Sequence, residues 1–300
     1  MGRLVALLVA GCAAVLTAQQ PTFRAGTDLV TVGATITDRR GNFLAGLNVE
    51  DFEVFEDGTR QTVTFFARGG DTAPSPELHV GLLFDTSGSM GQEIALARSA
   101  AVRFLNTLRD AVDIALVDFD TEVRLARYGQ EDFPRIVERI RSRRPDGLTA
   151  LYDALGLYLD NAQRDDGRTI LVIFTDGGDT RSSLRFRDLL TSIRASDVTI
   201  YSIGFLENQR GVGALEPRLR LSEITAESGG EAFFPRSMKE IEEAYDKIVA
   251  QIRAQYSLGF VSTNPRRDGS WREIEIKVRD GAAAGARIQA RKGYFAPYQR

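Results

Sequence analysis

Two hydrophobic rhythms divide the chain. From Asp28 to Arg68 apolar and polar positions alternate, as in Leu29-Val30-Thr31-Val32-Gly33-Ala34-Thr35-Ile36-Thr37, the period of a half-buried strand. Asp38 to Gly41 supplies a turn, and shorter β-like runs follow at Phe52–Phe55 and Val63–Phe66, separated by the hairpin signal Glu56-Asp57-Gly58-Thr59. Three or so strands do not easily close a core alone. Residues 69–77, Gly-Gly-Asp-Thr-Ala-Pro-Ser-Pro-Glu, are rich in breakers and read as a linker.

After the linker strands alternate with helices. Strands are predicted at His79–Phe84, Ile114–Val117, Thr169–Phe174 and Val198–Ile203, with helices near 91–108, 132–142, 150–162, 184–195, 219–228 and 238–254. The Val-, Ile- and Leu-rich strands carry no polar alternation, which marks a parallel sheet covered by helices on both faces. Residues 78–255 therefore read as a doubly wound α/β domain with a mainly parallel sheet, a Rossmann-like arrangement.

Beyond Gln255 the alternating pattern returns in Tyr256–Val261, Trp271–Val278 and Ala286–Phe295, with a turn from Asn264 to Gly269. Neither the front segment, 24–68, nor the back segment, 256–300, makes a convincing sheet pair by itself. They are expected to pack on each other as one β-sandwich, with the α/β domain inserted between them. The aromatic residues Phe260, Trp271, Tyr294 and Phe295 are expected in the core of that sandwich.

The 300 residues are 43% hydrophobic and 26% charged, enough to bury a sizeable core. Residues 1–18 read as an export signal: Arg3, then an apolar run from Leu4 to Leu16, then the small residue Ala18. Cleavage after Ala18 gives a free exported protein, periplasmic, cell-surface or extracellular. Val9-Ala10-Gly11-Cys12 also resembles a lipobox, which would instead make Cys12 a lipidated first residue. No stretch beyond it is long and apolar enough to span a bilayer. Cys12 is the only cysteine, so a mature chain beyond it has no disulfide and no thiolate chemistry. A formal charge of −3 argues against nucleic acid as a partner, and the basic cluster Arg139, Arg141, Arg143, Arg144 reads as a solvated helix end.

Candidate chemistry sits where the α/β strands end, the place where ligands bind in doubly wound sheets. Three loops carry oxygen donors there: Asp85-Thr86-Ser87-Gly88-Ser89, the run from Asp146 to Asp153 that includes Thr149, and Thr175-Asp176-Gly177-Gly178-Asp179. Each could cap a helix, since Ser, Thr and Asp do so commonly; capping does not explain why all three fall at such ends. Asp179 reads as a cap of the helix near 184, with support of a metal as its alternative.

The Asp-x-Ser-x-Ser of Asp85, Ser87 and Ser89, the later Thr149, and Asp176 in a Thr-Asp-Gly turn resemble the metal-ion-dependent adhesion site of the von Willebrand factor type A family. The resemblance covers roughly residues 78–255, and the intervening elements follow the family's order. It implies a metal held by Asp85, Ser87, Ser89, Thr149 and Asp176, namely Mg²⁺, with Mn²⁺ or Ca²⁺ as alternatives. It also implies a non-enzymatic module whose protein partner supplies a Glu or Asp to the cation. Hydroxyl ligands are neutral, so the dication stays electrophilic. The flanking Asp51–Gly58 and Arg291–Phe295 are similar to a bacterial group of secreted von Willebrand factor A-related proteins.

Two other readings fit parts of the sequence. A haloacid-dehalogenase-type phosphohydrolase would use Asp118 as nucleophile and Asp120 as acid/base. Against it, Glu122 follows Thr121 where that family carries Thr or Val, and the motif falls on the second strand of the domain. A structural envelope protein with a vestigial metal site is the other. A serine triad would need the only histidine, His79, beside the linker.

Overall fold

The structure, a computed structural model of the chain, describes residues 29–69, 76–107, 110–162, 167–206, 211–279 and 285–298. The proposed export signal with Cys12, residues 24–28, and most of the expected linker lie outside the described residues. In chain order the front segment gives β1 (Leu29–Thr37), β2 (Phe52–Glu56), β3 (Thr59–Gln61) and β4 (Val63–Arg68). The α/β part gives β5 (Leu78–Asp85), α1 (Ile94–Thr107), β6 (Ala111–Phe119), β7 (Val123–Gly129), α2 (Phe133–Ser142), α3 (Leu151–Ala162) and β8 (Arg168–Thr175). It continues through α4 (Phe186–Ala195), β9 (Thr199–Gly204), α5 (Leu215–Glu227), β10 (Ala232–Phe233) and α6 (Met238–Ala254). The back segment gives β11 (Tyr256–Val261), β12 (Trp271–Val278), β13 (Arg287–Ala290) and β14 (Gly293–Phe295).

The central sheet has six strands in the order β10-β9-β8-β5-β6-β7. All neighbours run parallel except β6 and β7. From Thr169 onward every residue of β8 is buried, because both faces of the strand are covered. One face packs Leu82, Phe84, Leu116 and Phe174 against α1, α2 and α6; the other packs Leu83, Val117, Leu171 and Ile173 against α3, α4 and α5. Each fully buried Leu, Ile or Phe there is worth ~1.5–3 kcal/mol over exposure. The close approach of α3 to the sheet depends on Gly81, where a Cβ would stand 2.3 Å from the Tyr158 ring. The Tyr158 hydroxyl donates to the Ile170 carbonyl at 3.3 Å. No helix among the described residues is long and apolar enough to cross a membrane.

The terminal strands form two antiparallel sheets, β13-β1-β11-β4 and β14-β12-β2-β3. They share one core of Val32, Ile36, Val54, Tyr256, Leu258, Phe260, Ile276 and Tyr294. Burial in β12 alternates without a break over Trp271–Lys277, so one face meets that core and the other meets water. The expected sandwich is present, with two differences in its wiring. The hairpin turn at Asp57 and Gly58, both at positive φ, joins β2 to the short β3. The chain then leaves that sheet at Thr62 and re-enters the other as β4. The run 286–295 likewise is not one strand: it breaks at Arg291 and Lys292, placing β13 in one sheet and β14 in the other. Trp271 and Phe295 are not in the core. They meet edge-on at 5.1 Å on the outer face, where the missing side chain of Gly293 leaves room for the indole.

The sandwich attaches to the ends of the central sheet where the parallel strands begin. Arg168, at the start of β8, donates to the Ile252 carbonyl at 2.6 Å and to Gln255 at 2.9 Å. Arg291 donates to the Thr31 carbonyl at 2.7 Å and pairs with Asp197. His79 also lies at this end, with Nδ1 2.9 Å from Asp113. The eight residues of β8 span roughly 26 Å at about 3.3 Å each, so the opposite sheet end stands clear of the sandwich.

Candidate metal centre

At that free end β5 and β8 are neighbours, while the chain runs from β5 outward to β6 on the other side. This is the topological switch point of the sheet, where loops diverge and leave a crevice. Asp85 is the last residue of β5, and Asp176 is the first after β8. The switch point thus brings two of the expected ligands together from positions ninety-one residues apart.

Asp85 is 0% exposed. Its Oδ1 accepts from the Ser87 backbone at 2.9 Å, and its Oδ2 accepts from the Thr175 hydroxyl at 2.6 Å. Burial, and secondarily the negative charge of Asp176, push its carboxyl up to about 7. Ser87 is extended and precedes a short 3-10 turn at Gly88–Gly91, which brings its hydroxyl within 3.0 Å of the Ser89 hydroxyl. Ser87, Thr149 and Asp176 are buried with Asp85, whereas Ser89 is exposed. The group therefore opens to solvent at Ser89.

The Thr149 loop is stitched to both others. Asp146 N donates to the Thr86 carbonyl at 2.9 Å, and Gly88 N donates to the Gly147 carbonyl at 3.1 Å. Gly147 is at positive φ and a Cβ there would meet the Thr121 hydroxyl, which accepts from Leu148 N at 2.9 Å. Thr149 N donates to the Thr180 hydroxyl at 3.0 Å, and the Thr149 carbonyl accepts from Thr180 N and Arg181 N at 2.9 and 3.0 Å. The backbone of Thr149 is thereby spent on the neighbouring loop.

Asp179 caps a different helix from the one expected. Its Oδ1 accepts from Tyr152 N, in the first turn of α3, at 3.2 Å, and from the Ser182 hydroxyl at 2.6 Å. Asp153 answers from α3, accepting from Ser183 N and Leu184 N at 2.9 and 2.8 Å. The two carboxylates lock the second and third loops to each other. Thr175 is outside the expected set, and its position beside Asp176 in the Thr-Asp-Gly turn is the sequence signal that marks it. Its hydroxyl holds Asp85 while accepting from Gly177 N at 2.9 Å.

The donor set suits a hard cation. Among the described residues no group of three or more His, Cys, Asp or Glu is assembled; Asp176 is near enough to Asp85 to act on its charge, and the Ser87 and Ser89 hydroxyls lie 3.0 Å apart beside it. Such oxygen donors suit Mg²⁺, which retains waters and accepts few protein carboxylates. Among the described residues no lysine or arginine pairs with Asp85. Its carboxyl is raised first by burial and then by the neighbouring negative charge of Asp176, and a dication beside it would favour the ionised form.

Asp118 is arranged differently. It is 1% exposed on β6, and its oxygens are taken by Arg124 at 2.9 Å, by Arg143 at 2.8 Å and by Arg139. Asp120 pairs with Arg124 as well. Through these pairs Asp118 ties α2 and β7 to the sheet. Arg139 and Arg143 are therefore anchors and not merely a solvated helix end.

The sequence model of the von Willebrand factor type A domain matches residues 79–247. No curated protein matches the sequence. Among solved structures, the pilus adhesin SpaC from Lactobacillus rhamnosus GG in its open conformation has a TM-score of 0.51 at 12% identity, covering 87% of this chain and 49% of that one. A von Willebrand factor type A protein from Catenulispora acidiphila has a TM-score of 0.49 at 15% identity, over 93% and 76% of the two chains. The PilB minor pilin from Streptococcus sanguinis has a TM-score of 0.49 at 15% identity, over 61% and 63%. The chain thus spans under two thirds of PilB and about half of SpaC. At such identities the SpaC match is a likeness of fold.

Proposed function

The chain belongs to the von Willebrand factor type A domain family, and from that premise we propose that it is an exported, non-enzymatic binding module that presents a divalent cation to a protein partner. Asp85, Ser87, Ser89, Thr149 and Asp176 would hold the cation, Mg²⁺ in the first instance. The observation that carries this reading is the convergence of Asp85 and Asp176 at the switch point, with the serine hydroxyls beside Asp85 and the Thr149 loop bound to both neighbours.

The bound cation would supply Lewis acidity toward an incoming carboxylate. The chain's own residues prepare that encounter. Thr175 orients the Asp85 carboxylate, the backbone bonds of Thr86, Gly88 and Thr149 fix the loops, and exposure at Ser89 leaves an approach from solvent. With two carboxylates in the set, the charge of a dication is balanced but not exceeded, so an acidic side chain from outside adds a favourable ligand. The sandwich, docked at the far sheet end, leaves this face free. SpaC is a pilus adhesin, and a role in adhesion is the corresponding proposal for this chain.

Calorimetric titration of the purified protein with Mg²⁺ tests the reading. Saturable binding in the native chain and its loss in Asp85→Ala is the expected result. Absence of saturable binding, or binding unaltered in Asp85→Ala, would overturn the metal site and leave the vestigial reading.

A further inference from the structure

At the sheet end away from the metal site, the join between the sandwich and the α/β part encloses a cavity of about 220 Å³. The sandwich strands β1 and β11 contribute Thr31 and Ser257 to its wall, and the starts of β8 and β9 contribute Arg168, Thr169 and Thr199. Gly33 of β1 keeps the join close, since a Cβ there would stand 2.5 Å from Gln255 Nε2. The Gln255 side chain therefore lies against the β1 backbone, and its Oε1 accepts from Arg168 Nη2 at 2.9 Å.

Arg168 brings to this wall a charge that no carboxylate among the described residues balances. Its Nη2 is spent on two neutral acceptors, Gln255 and the Ile252 carbonyl, and its Nε is buried without an acceptor. Burial pushes the guanidinium below its ordinary value, opposed by the Tyr201 phenol and by no carboxylate. Asp197 also lines the cavity, but it is 71% exposed and paired with Arg291, so two guanidiniums stand against one carboxylate. Taking a cation out of water without a partner is costly, and an anion in the cavity would remove that cost. The wall also offers hydroxyls. Among the described residues those of Thr31, Thr169 and Ser257 have no hydrogen-bond partner, and Thr199 has a long one, from Gln255 Nε2 at 3.5 Å.

We propose that this cavity binds a small oxyanion, a phosphate or a carboxylate, which accepts a charge-assisted hydrogen bond from Arg168 and further bonds from the hydroxyls of Thr31, Thr169 and Ser257. These donors come from both sides of the join, so the bound anion bridges the sandwich and the α/β part. A ligand held by both sides binds the folded chain alone and stabilises it by mass action. The site is independent of the cation at the other sheet end.

The test titrates the full chain calorimetrically with inorganic phosphate, sulfate and acetate, with chelator present throughout and ionic strength held constant with chloride. Saturable binding of at least one oxyanion is expected, together with a melting temperature that rises with its concentration. Tighter phosphate or sulfate assigns a tetrahedral group, and tighter acetate a carboxylate. Arg168→Gln is expected to abolish binding. Arg168 also holds the Ile252 carbonyl, so Thr31→Val and Ser257→Ala supply milder changes, each expected to weaken binding about tenfold for one lost hydrogen bond to a charged group. No saturable binding of any of the three anions to a chain that melts cooperatively would overturn the inference. Binding left unchanged in Thr31→Val and Ser257→Ala, or in Arg168→Gln, would overturn it as well.

Discussion

The Thr175 hydroxyl lies 2.6 Å from Asp85 Oδ2 and also accepts from Gly177 N. One side chain thus fixes both the carboxylate at the end of β5 and the turn that carries Asp176. Outer partners of this kind orient a ligand without touching the metal, and their loss costs about 10–100-fold in affinity. Thr175→Val keeps the shape and removes the donor. A Mg²⁺ dissociation constant raised by roughly that factor, in a chain that still melts cooperatively without metal, is the expected outcome by calorimetry.

Metal binding should also be visible as stability. A cation that binds only the folded chain adds about 2.7 kcal/mol at one hundred times its dissociation constant. Thermal melts with excess Mg²⁺ against chelator should show the shift in the native chain and none in Asp85→Ala.

Asp118 distinguishes a structural carboxylate from a catalytic one. Replacement by Asn leaves Arg124, Arg139 and Arg143 facing one another across a buried position. Breaking a buried ion-pair cluster in this way costs about 3–5 kcal/mol. Asp118→Asn is expected to unfold at markedly lower denaturant, while Mg²⁺ calorimetry below the transition remains close to native. Phosphatase activity in the native chain that vanishes in this variant would restore the enzyme reading.

Glu227 gives a pH signature to the join between α5, α4 and the back segment. It accepts from Arg194 at 2.7 Å and pairs with Lys292 at 3.4 Å, and the Arg194 hydrogen bond outweighs burial to hold its carboxyl below the ordinary value of 4.5. A depressed carboxyl contributes stability above the unfolded value, lost as pH falls through the folded one. The difference in melting temperature between the native chain and Glu227→Gln should be full at neutral pH, begin to shrink as pH drops below about 4.5, and vanish once pH is below the folded value.

Gly81→Val tests the seat of α3 on the sheet. The added carbons would meet the Tyr158 ring, and overpacking of this kind costs about 1–3 kcal/mol. Truncating Tyr158 to Ala in the same chain should recover part of the loss, a coupling that a double-mutant cycle in denaturant reads directly.

Local pattern determined a large share of this molecule. Unbroken apolar runs made β5, β8 and β9 central strands, alternation made β1 and β12 one-sided, and the three oxygen-bearing loops were legible because each is a short contiguous motif at a strand end. The asymmetric pairing of the terminal segments followed from neither half having enough strands to close a core. Periodicity records whether a side chain is buried, however, and not what buries it. For that reason the crossings at Thr62 and at Arg291–Lys292, the edge strand β7, and the outward position of Trp271 depended on which sheet edge was free in the folded chain. The same limit applies to Asp118, whose three arginine partners come from separate elements, and to Asp179, whose helix lies at the other end of its hydrogen bonds. Only the tertiary structure could place Thr175 on Asp85 and the Leu148 backbone on Thr121, because those are relations between loops that the sheet's switch point brings together.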